Sequence, residues 1–345
     1  MSALSDETPA GELDVEDAEE DVEAEEPKPK AVVEETPKAP PRVRKLDIVS
    51  HRNKFFLFSL LLIIPGMYVM ITKGFLLGID FAGGTEFTLR FENHPTIKQV
   101  EQAARSEFAD ATVIAAGTDQ FIIRGPALGP ARQTEVINDL EQSVGPIDRS
   151  KLSVLEVGGT IAGETIELSL LSVVVAAIGI LALLTFRFRN VPGGWRAGFQ
   201  FGGSALAALL HDVFLLTGVF AILGTVFDLK IGELNSLFVT AVLTVVGFSV
   251  HDTIVVFDRI RENLRVSQRL TFEQVVNLSI MQTAARSIIT SFTVVLVLVS
   301  ILIAGGPGLQ GFALALLIGI VSGTYSSIFN AAPLLVVWRR LQPVR

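Results

Sequence analysis

The sequence predicts an α-helical polytopic membrane protein, with six transmembrane helices and one α+β domain outside the membrane between helices 1 and 2. Half of the 345 residues are apolar and the mean hydropathy is +0.51, which is high for a soluble domain. Several windows carry almost no charge over about 20 residues, the length that crosses a hydrocarbon core. Lys and Arg cluster at alternate ends of these windows, as they do in polytopic membrane proteins.

The first 45 residues are expected to form a disordered acidic tail in the cytoplasm. Residues 1–35 contain 14 acids and two lysines, a net charge of −12, and no aromatic residue occurs in the tail. The whole chain carries −8, so +4 remains for everything after residue 35. Such a composition cannot bury enough apolar surface to offset the entropy of ordering. We interpret the tail as a solvated extension; a docking segment for a basic partner is the alternative.

Six spans follow from the apolar windows. The first belongs to a segment at 46–73 that begins with a basic flank, and the other five form a transmembrane domain at 166–345 with a cytoplasmic connector near 258–283. The basic runs RVRK, HRNK, RFRN and DRIRENLRVSQR lie at one set of helix ends, whereas the loops DLKIGE and GGPGLQG hold one Lys in total. The positive-inside rule therefore places both termini in the cytoplasm. The spans lie at about 55–73, 166–186, 197–227, 235–257, 284–304 and 311–338.

Residues 74–165 then form the extracytoplasmic domain. Strand-like alternation at 85–93 is followed by a helical pattern at 96–108, a hairpin around Thr118-Asp119, a second helical pattern at 130–144 and a last strand at 151–159. The order β-α-β-β-α-β is that of the ferredoxin-like fold.

The connector has two interpretations. Its second half places Phe272, Val275, Val276 and Ile280 on one helical face. This pattern fits an amphipathic helix at the membrane surface, and it fits equally a helical lead-in to the fifth span.

No motif for covalent catalysis is present, and we expect neither enzyme activity nor a cofactor. The sequence lacks GxSxG and a phosphate-binding GxxxxGK[ST]. It has no cysteine, and its four histidines show no metal-ligand spacing, so no metal is expected. Any chemistry must come from polar residues within the membrane spans.

Those residues are few. Span three carries His211-Asp212, span four His251-Asp252 and span five Arg286. A charged side chain at mid-membrane costs about 2.5–3.5 kcal/mol, a penalty that pairing with an opposite charge or contact with water reduces. We therefore predict a proton relay of Asp212, Asp252 and Arg286, in which movement of the Arg switches proton binding at an Asp.

Simpler roles stay open for some of these residues. Asp252 lies five residues from Phe257, where the predicted span ends, and Arg286 is near a helix start, from which it could reach lipid phosphates. His211 and His251 are candidate modulators of the relay, or structural hydrogen-bond donors to neighbouring helices.

Five ordered stretches resemble the SecF family, the smaller membrane subunits of the bacterial SecDF protein-export complex. The resemblance covers nearly everything from residue 45 onward. Its motif positions include Asp80, Gly83 and Gly84 in the first stretch and Asp258 and Arg259 in the third. The stretches are GIDFAGGTEF (78–87), LLHDVFLLTGVFAILG (209–224), VGFSVHDTIVVFDRIREN (246–263), ARSIITSFT (285–293) and FALALLIGIVSGTYSSIFNAAPLL (312–335).

The resemblance implies a multi-pass protein of the bacterial cytoplasmic membrane that pairs with SecD. Together they would use the proton-motive force to help preproteins leave the SecYEG channel after SecA has driven them. YidC and membrane lipids are further expected partners, and no nucleic acid is. The family's relay Asp and Arg map onto Asp252 and Arg286, and a further Asp comes from SecD. His251 departs from the Asn usual at its position, which makes a neutral side chain titratable.

Two other functions remain open from the sequence. One is a half-unit of a proton-coupled exporter of the related RND class, acting on small molecules or lipids. Such an exporter has twelve spans and two large outer loops in one chain, whereas six and one are predicted here. The other is a structural scaffold, against which the charges at Asp212 and Asp252 argue. The coupling ion, proton or sodium, does not follow from the carboxylates.

Overall fold

A computed structural model of the chain describes residues 47–116, 119–267 and 269–343. The predicted acidic tail at 1–45 and Thr118 in the predicted hairpin turn lie outside the described residues. In chain order the elements are α1 (Arg52–Thr72), α2 (Ile79–Ala82), β1 (Gly84–Arg90), α3 (Ile97–Glu107), β2 (Thr112–Ala115), β3 (Gln120–Gly125), α4 (Pro130–Val144), β4 (Ser153–Val157), α5 (Gly159–Arg187), α6 (Gly194–Thr225), α7 (Ser236–Val266), α8 (Phe272–Ala304), α9 (Pro307–Ser326) and α10 (Ala332–Leu341).

Six helices of the described part are long and apolar enough to cross a membrane, which confirms the predicted fold class. Five are α1, α5, α6, α7 and α8. The sixth span, Gly308–Leu341, contains α9, a π-helical turn at Ser327–Ala331 and α10. α6, α7 and the sixth span supply most of the buried core, whereas α1 and α5 lie outside it with most of their residues exposed.

Several close helix contacts depend on small residues, and two of them involve small residues on both helices. Gly66 of α1 faces Gly218 of α6, and a Cβ at Gly66 would lie 2.6 Å from the Cα of Gly218. Gly323 of α9 faces Ser249 of α7 in the same manner, with 3.0 Å from an added Cβ to the Ser249 Cβ. These contacts let helices approach backbone to backbone, as small residues do in membrane proteins.

The residues of the predicted connector near 258–283 are helical in the structure except at a short turn. α7 continues to Val266 and α8 begins at Phe272 after a capping box, in which the backbone N–H of Thr271 donates to Gln274 Oε1 over 3.0 Å. The segment is therefore a helical lead-in to the fifth span. Val275, Val276 and Ile280 are buried, so the apolar face packs against protein and does not form a membrane-surface helix.

The domain between α1 and α5 has the predicted ferredoxin-like topology. Its four strands form an antiparallel sheet in the order β2-β3-β1-β4. Alternate residues of β1, including Phe87 and Leu89, are fully buried. They pack with Val100 of α3 and Leu140 of α4 in one core, separate from the core of the helix bundle. We call this unit the outer domain.

Candidate functional site

Asp212 lies at the centre of the helix bundle with no solvent exposure. Its carboxylate accepts hydrogen bonds from three serine hydroxyls: Ser249 of α7 at 2.8 Å, and Ser322 and Ser326 of α9 at 2.6 Å each. Burial of a carboxylate is costly unless its oxygens are hydrogen-bonded. Hydroxyl donors to a charged acceptor form strong bonds, so the three serines compensate much of that cost.

The sequence places these serines by helix periodicity. Ser322 and Ser326 are four residues apart and therefore lie on one face of α9. Gly323 lies between them and brings α9 close to Ser249. A serine at each of these positions donates to the same carboxylate, so α6, α7 and α9 meet at Asp212.

The π-helical turn extends this polar cluster along the sixth span. Ser326 and Ser327 are both fully buried, although consecutive residues of an α-helix point in directions about 100° apart. The Ser327 hydroxyl lies 2.8 Å from that of Thr253 in α7 and donates to the Ser249 carbonyl over 3.3 Å. π-Helical turns occur frequently at functional sites.

His211 contacts its neighbour in sequence. Its Nδ1 lies 3.0 Å from Asp212 Oδ1, and its ring lies beside that of Tyr325 with a centroid separation of 6.2 Å. Within the described residues, its Nε2 is buried and has no hydrogen-bond partner.

Asp252 of α7 is a second buried acid, 7% exposed. Its Oδ1 accepts a 2.5 Å hydrogen bond from the Ser287 hydroxyl of α8. Its Oδ2 is buried and has no hydrogen-bond partner in the part of the chain that the structure describes. One carboxylate oxygen of Asp252 is thus free to bind a proton.

The structure does not bring Arg286 to Asp252. Arg286 is exposed on α8, and no hydrogen bond or ion pair joins it to any described residue. The next residue, Ser287, faces α7 and binds Asp252, so a one-residue step of about 100° turns Arg286 away. Among the described residues, no contact joins Arg286 to Asp252, so this geometry alone does not neutralise Asp252.

His251 is likewise turned away from its Asp. It is exposed on α7 and makes no hydrogen bond to the residues that the structure covers, whereas Asp252 is buried. The two His-Asp pairs therefore differ: His211 binds Asp212, and His251 does not bind Asp252.

Further buried hydroxyl groups on α8 and α9 were not predicted. Ser287 and Ser291 lie four residues apart on α8; Ser287 binds Asp252, and Ser291 is hydrogen-bonded to Thr324 of α9. Thr324 stands between Ser322 and Ser326 in sequence. The sequence did contain one indication of these contacts, the four-residue spacing of serines within apolar spans. Serines with this spacing lie on one helix face and can hydrogen-bond to a neighbouring helix in the membrane.

The first family motif joins the outer domain to the start of α7. Asp80 accepts a 2.8 Å hydrogen bond from the backbone N–H of Ser236, the first residue of α7. The N–H of Gly78 donates to the Leu234 carbonyl over 2.7 Å. Gly83 and Gly84 follow with φ of 69° and 106°, values that favour glycine and turn the chain into β1.

An ion network lies beside this junction. Arg124 of β3 pairs with Glu86 of β1 at 2.7 Å and with Glu233, which precedes α7, and Lys230 pairs with Glu233 at 2.5 Å. Burial would lower the pKa of the Arg124 guanidinium, but Glu233 and Glu86 raise that pKa above its usual value. The arginine therefore stays charged and ties the outer domain to the loop before α7.

The third motif anchors the other end of α7. Asp258 pairs with Arg187 at the end of α5, at 2.8 Å. Arg259 donates to Gln282 of α8 over 2.5 Å and pairs with Glu262 at 2.6 Å. These residues fix the end of α7 and lie outside the cluster around the buried acids.

Comparison with known proteins places this geometry in context. The profile described as "Protein export membrane protein SecD/SecF, C-terminal" matches residues 136–341, and the "SecD/SecF GG Motif" profile matches residues 68–93. The protein translocase subunit SecF of Thermobaculum terrenum is 42% identical over 304 residues, which cover 85% of this chain and 94% of that protein. The SecF subunit of Anaerolinea thermophila is 37% identical over 300 residues, with 85% and 94% covered.

A solved structure is similar over most of the chain. The crystal structure of SecDF, a translocon-associated membrane protein from Thermus thermophilus, matches with a TM-score of 0.73 and 31% sequence identity. The match covers 86% of this chain and 39% of the SecDF chain. The chain thus spans well under half the length of that protein.

Proposed function

The chain belongs to the SecD/SecF protein-export family as a SecF-type subunit of the Sec protein translocase, and from this we propose that it uses the proton-motive force to promote preprotein translocation across the cytoplasmic membrane. One observation carries the proposal: α7 holds the buried acid Asp252 and is hydrogen-bonded at its first residue to the outer domain. The relatives are translocase subunits, so the small-molecule or lipid exporter is not favoured.

Asp252 is the proposed proton-binding residue. Its free Oδ2 accepts a proton without the loss of any hydrogen bond. A buried carboxylate is costly within a membrane, and protonation removes that charge. The bond from Ser287 to Asp252 Oδ1 weakens when the carboxylate is neutral, because hydrogen bonds to a charged acceptor are roughly twice as strong as neutral ones. Proton binding therefore loosens the contact between α7 and α8.

Arg286 completes the relay with a SecD subunit in this proposal. It is exposed on α8, where large apolar side chains such as Ile289 and Phe292 are exposed as well. The chain covers 39% of a SecDF chain, so we infer that a separate SecD covers this face and supplies the remaining carboxylate. Asp212 is the third relay residue, deeper in the bundle.

Movement of α7 would reach the outer domain through its first residues. The junction combines the Asp80 bond to Ser236, the Gly78 bond to Leu234 and the ion pairs of Arg124 with Glu86 and Glu233. Because these contacts all lie at the start of α7, a shift of that helix would displace the part of the outer domain that is bonded to it.

Membrane orientation and the other partners are part of the same proposal. Basic residues such as Arg187, Arg196 and Arg340 lie at the helix ends expected in the cytoplasm, which supports cytoplasmic termini. The outer domain then faces preprotein emerging from SecYEG, after SecA has acted on the opposite side. YidC is a further candidate neighbour.

Preprotein translocation in inverted membrane vesicles tests the function. Vesicles that contain SecYEG, SecD and this chain would receive SecA, ATP and an imposed proton gradient. Asp252→Asn is expected to abolish the part of translocation that depends on the gradient, since the amide cannot bind and release the proton. Arg286→Met should have the same effect.

Glu164→Gln is the matched control, because Glu164 is an exposed acid near the start of α5. It should translocate like the wild type. If Asp252→Asn and Arg286→Met both retain the full gradient-dependent component, the relay assignment is wrong.

A further inference from the structure

An open groove of about 590 Å³ lies between the first turns of α6 and the residues just after the sixth span. Its volume falls in the range of about 300–1,000 Å³ that is usual for small-molecule sites. The third span begins at Gly194 and the sixth ends at Leu341, so the groove lies at the membrane boundary, at the level of lipid headgroups. The lining residues are Trp195, Arg196, Phe199, Gln200, Gln342 and Pro343.

Contacts between the two walls fix the shape of the groove. Gln200 donates from Nε2 to the Gln342 carbonyl over 2.9 Å, and the Trp338 indole packs edge-to-face on Phe199 with a centroid separation of 5.9 Å. Gly203 makes room for this indole, since an added Cβ would collide with it. Gln200 is 3% exposed, and its Oε1 has no hydrogen-bond partner among the described residues. The wall therefore holds a spare acceptor, which suits a hydroxyl donor.

The groove carries positive charge without an acid to balance it. Arg196 is exposed and makes no hydrogen bond or ion pair with any described residue. In the turn between α5 and α6, the Arg189 guanidinium lies 3.7 Å from the ring centroid of Phe186 and 5.8 Å from that of Trp195. It has no ion pair within the described chain. Asp and Glu are absent from the described lining, so an occupant of complementary charge is anionic.

Two large aromatic side chains give the groove an apolar surface as well. Trp195 is 61% exposed and Phe199 is 50% exposed. Tryptophan is enriched at membrane–water interfaces, where its amphipathic ring lies at the headgroup level. An unpaired arginine and an exposed aromatic surface at the same depth match a phospholipid, which joins a phosphate to apolar chains. A soluble anion would use the arginine alone.

We propose that this groove binds an anionic phospholipid, with the phosphate on Arg196 and the start of the acyl chains on Trp195 and Phe199. A headgroup hydroxyl, as in phosphatidylglycerol, donates to the Gln200 amide. The bound lipid holds the beginning of α6 against the end of the sixth span. The inference does not depend on the proton relay, and lipid binding is measured without translocation.

Tryptophan fluorescence tests the site directly, because the two tryptophans of the chain, Trp195 and Trp338, both lie at the groove. The full chain would be placed in phosphatidylcholine vesicles with a small fraction of brominated phosphatidylglycerol or of brominated phosphatidylcholine. Bromine quenches indole fluorescence only at short range. Stronger quenching by the brominated phosphatidylglycerol is expected, and equal quenching by the two lipids would overturn the proposal.

Arg196→Gln should remove most of this preference. One Lys or Arg near a lipid surface contributes about fivefold to anionic-lipid affinity, so the relative affinity derived from quenching should fall about fivefold. Arg196→Lys keeps the charge and should keep most of the preference. Since Arg196 contacts no described residue, its replacement should leave the melting temperature unchanged.

Arg265→Gln is the matched control, because Arg265 is exposed at the end of α7 and makes no ion pair with the residues that the structure covers. It should keep the wild-type preference. An equal loss in Arg265→Gln and Arg196→Gln would show a diffuse attraction of anionic lipid to a basic surface and would refute a site at the groove. An undiminished preference in Arg196→Gln would contradict the placement of the phosphate.

Discussion

Asp80 of the outer-domain junction accepts a hydrogen bond from the backbone N–H of Ser236, and Ser236 begins the helix that carries Asp252. The two residues are 156 positions apart in sequence. Asn235 satisfies a second N–H of the same helix end, that of Phe238, over 3.0 Å. The N-terminus of α7 is thus capped jointly by a local residue and by the outer domain.

Asp80→Ala is expected to weaken the junction. Loss of a capping side chain costs about 0.5–2 kcal/mol, so the purified complex should melt at a lower temperature and lose part of its gradient-dependent translocation. Asp80→Asn is the matched control, since Asn caps helices as well as Asp does. Equal behaviour of the Ala and Asn variants would show that the bond to Ser236 does not matter.

Replacement of a serine around Asp212 should destabilise the bundle. Ser322→Ala or Ser326→Ala removes one donor to a buried carboxylate, at a cost of about 1–3 kcal/mol. The double variant should not be additive, because both hydroxyls bind one group. Thermal unfolding of the detergent-solubilised complex measures the change, with Ser300→Ala as control because Ser300 is exposed and bonds only its own helix. An unchanged melting temperature would count against the serine cluster.

The turn between α4 and β4 should lose stability in acid. A hydrogen bond from Arg149 holds the pKa of Glu141 below its usual 4.5, and one from Ser150 holds the pKa of Asp148 below its usual 3.8. A lowered folded-state pKa contributes stability above the unfolded value, and that contribution disappears as the pH falls through the folded value. Hydrogen exchange of residues 141–151 in the full chain should therefore accelerate below about pH 4.5 relative to α3.

Glu141→Gln provides the comparison for that experiment. It removes one titrating group, so the acid-dependent change should be smaller than in the wild type. Exchange rates that rise equally in the variant would assign the acid effect to other groups.

His251→Asn is expected to leave proton-coupled translocation unchanged. His251 is exposed and makes no hydrogen bond with the described residues, so its replacement removes no contact. The measurement is the gradient-dependent rate of translocation as a function of pH. A rate or pH profile that differs from the wild type would place His251 in the relay.

Much of the fold follows from the sequence because its signals are local. The apolar windows predicted all six spans, and the alternating and helical patterns predicted the order of the outer domain. The helix bounds near the predicted connector did not follow from the sequence, because charges such as Asp258 and Arg259 marked the end of the predicted span, whereas they pair with neighbouring helices while α7 continues. The periodicity of apolar residues along a sequence does not show which charged residues of a helix pair with a neighbouring helix.

The candidate site was only partly predictable. Asp212 and Asp252 were identified because a charge in an apolar span is costly wherever it packs. The separation of Arg286 from Asp252 depends on helix rotation, which the sequence leaves open. The serines that bind Asp212 come from α7 and α9, and single hydroxyls are too common in membrane spans to indicate a particular partner.

The π-helical turn at Ser327–Ala331 divides the sixth span into two halves with different attachments. Before it, Ser322 and Ser326 bind Asp212; after it, Arg339 donates to the Pro192 carbonyl and Arg340 pairs with Glu273 of α8. The turn holds one residue more than an α-helical turn, a phase difference of about 100°. The extra residue therefore sets the two halves of the sixth span out of phase, so the first half presents its serines to Asp212 while the second half presents its arginines to other parts of the bundle.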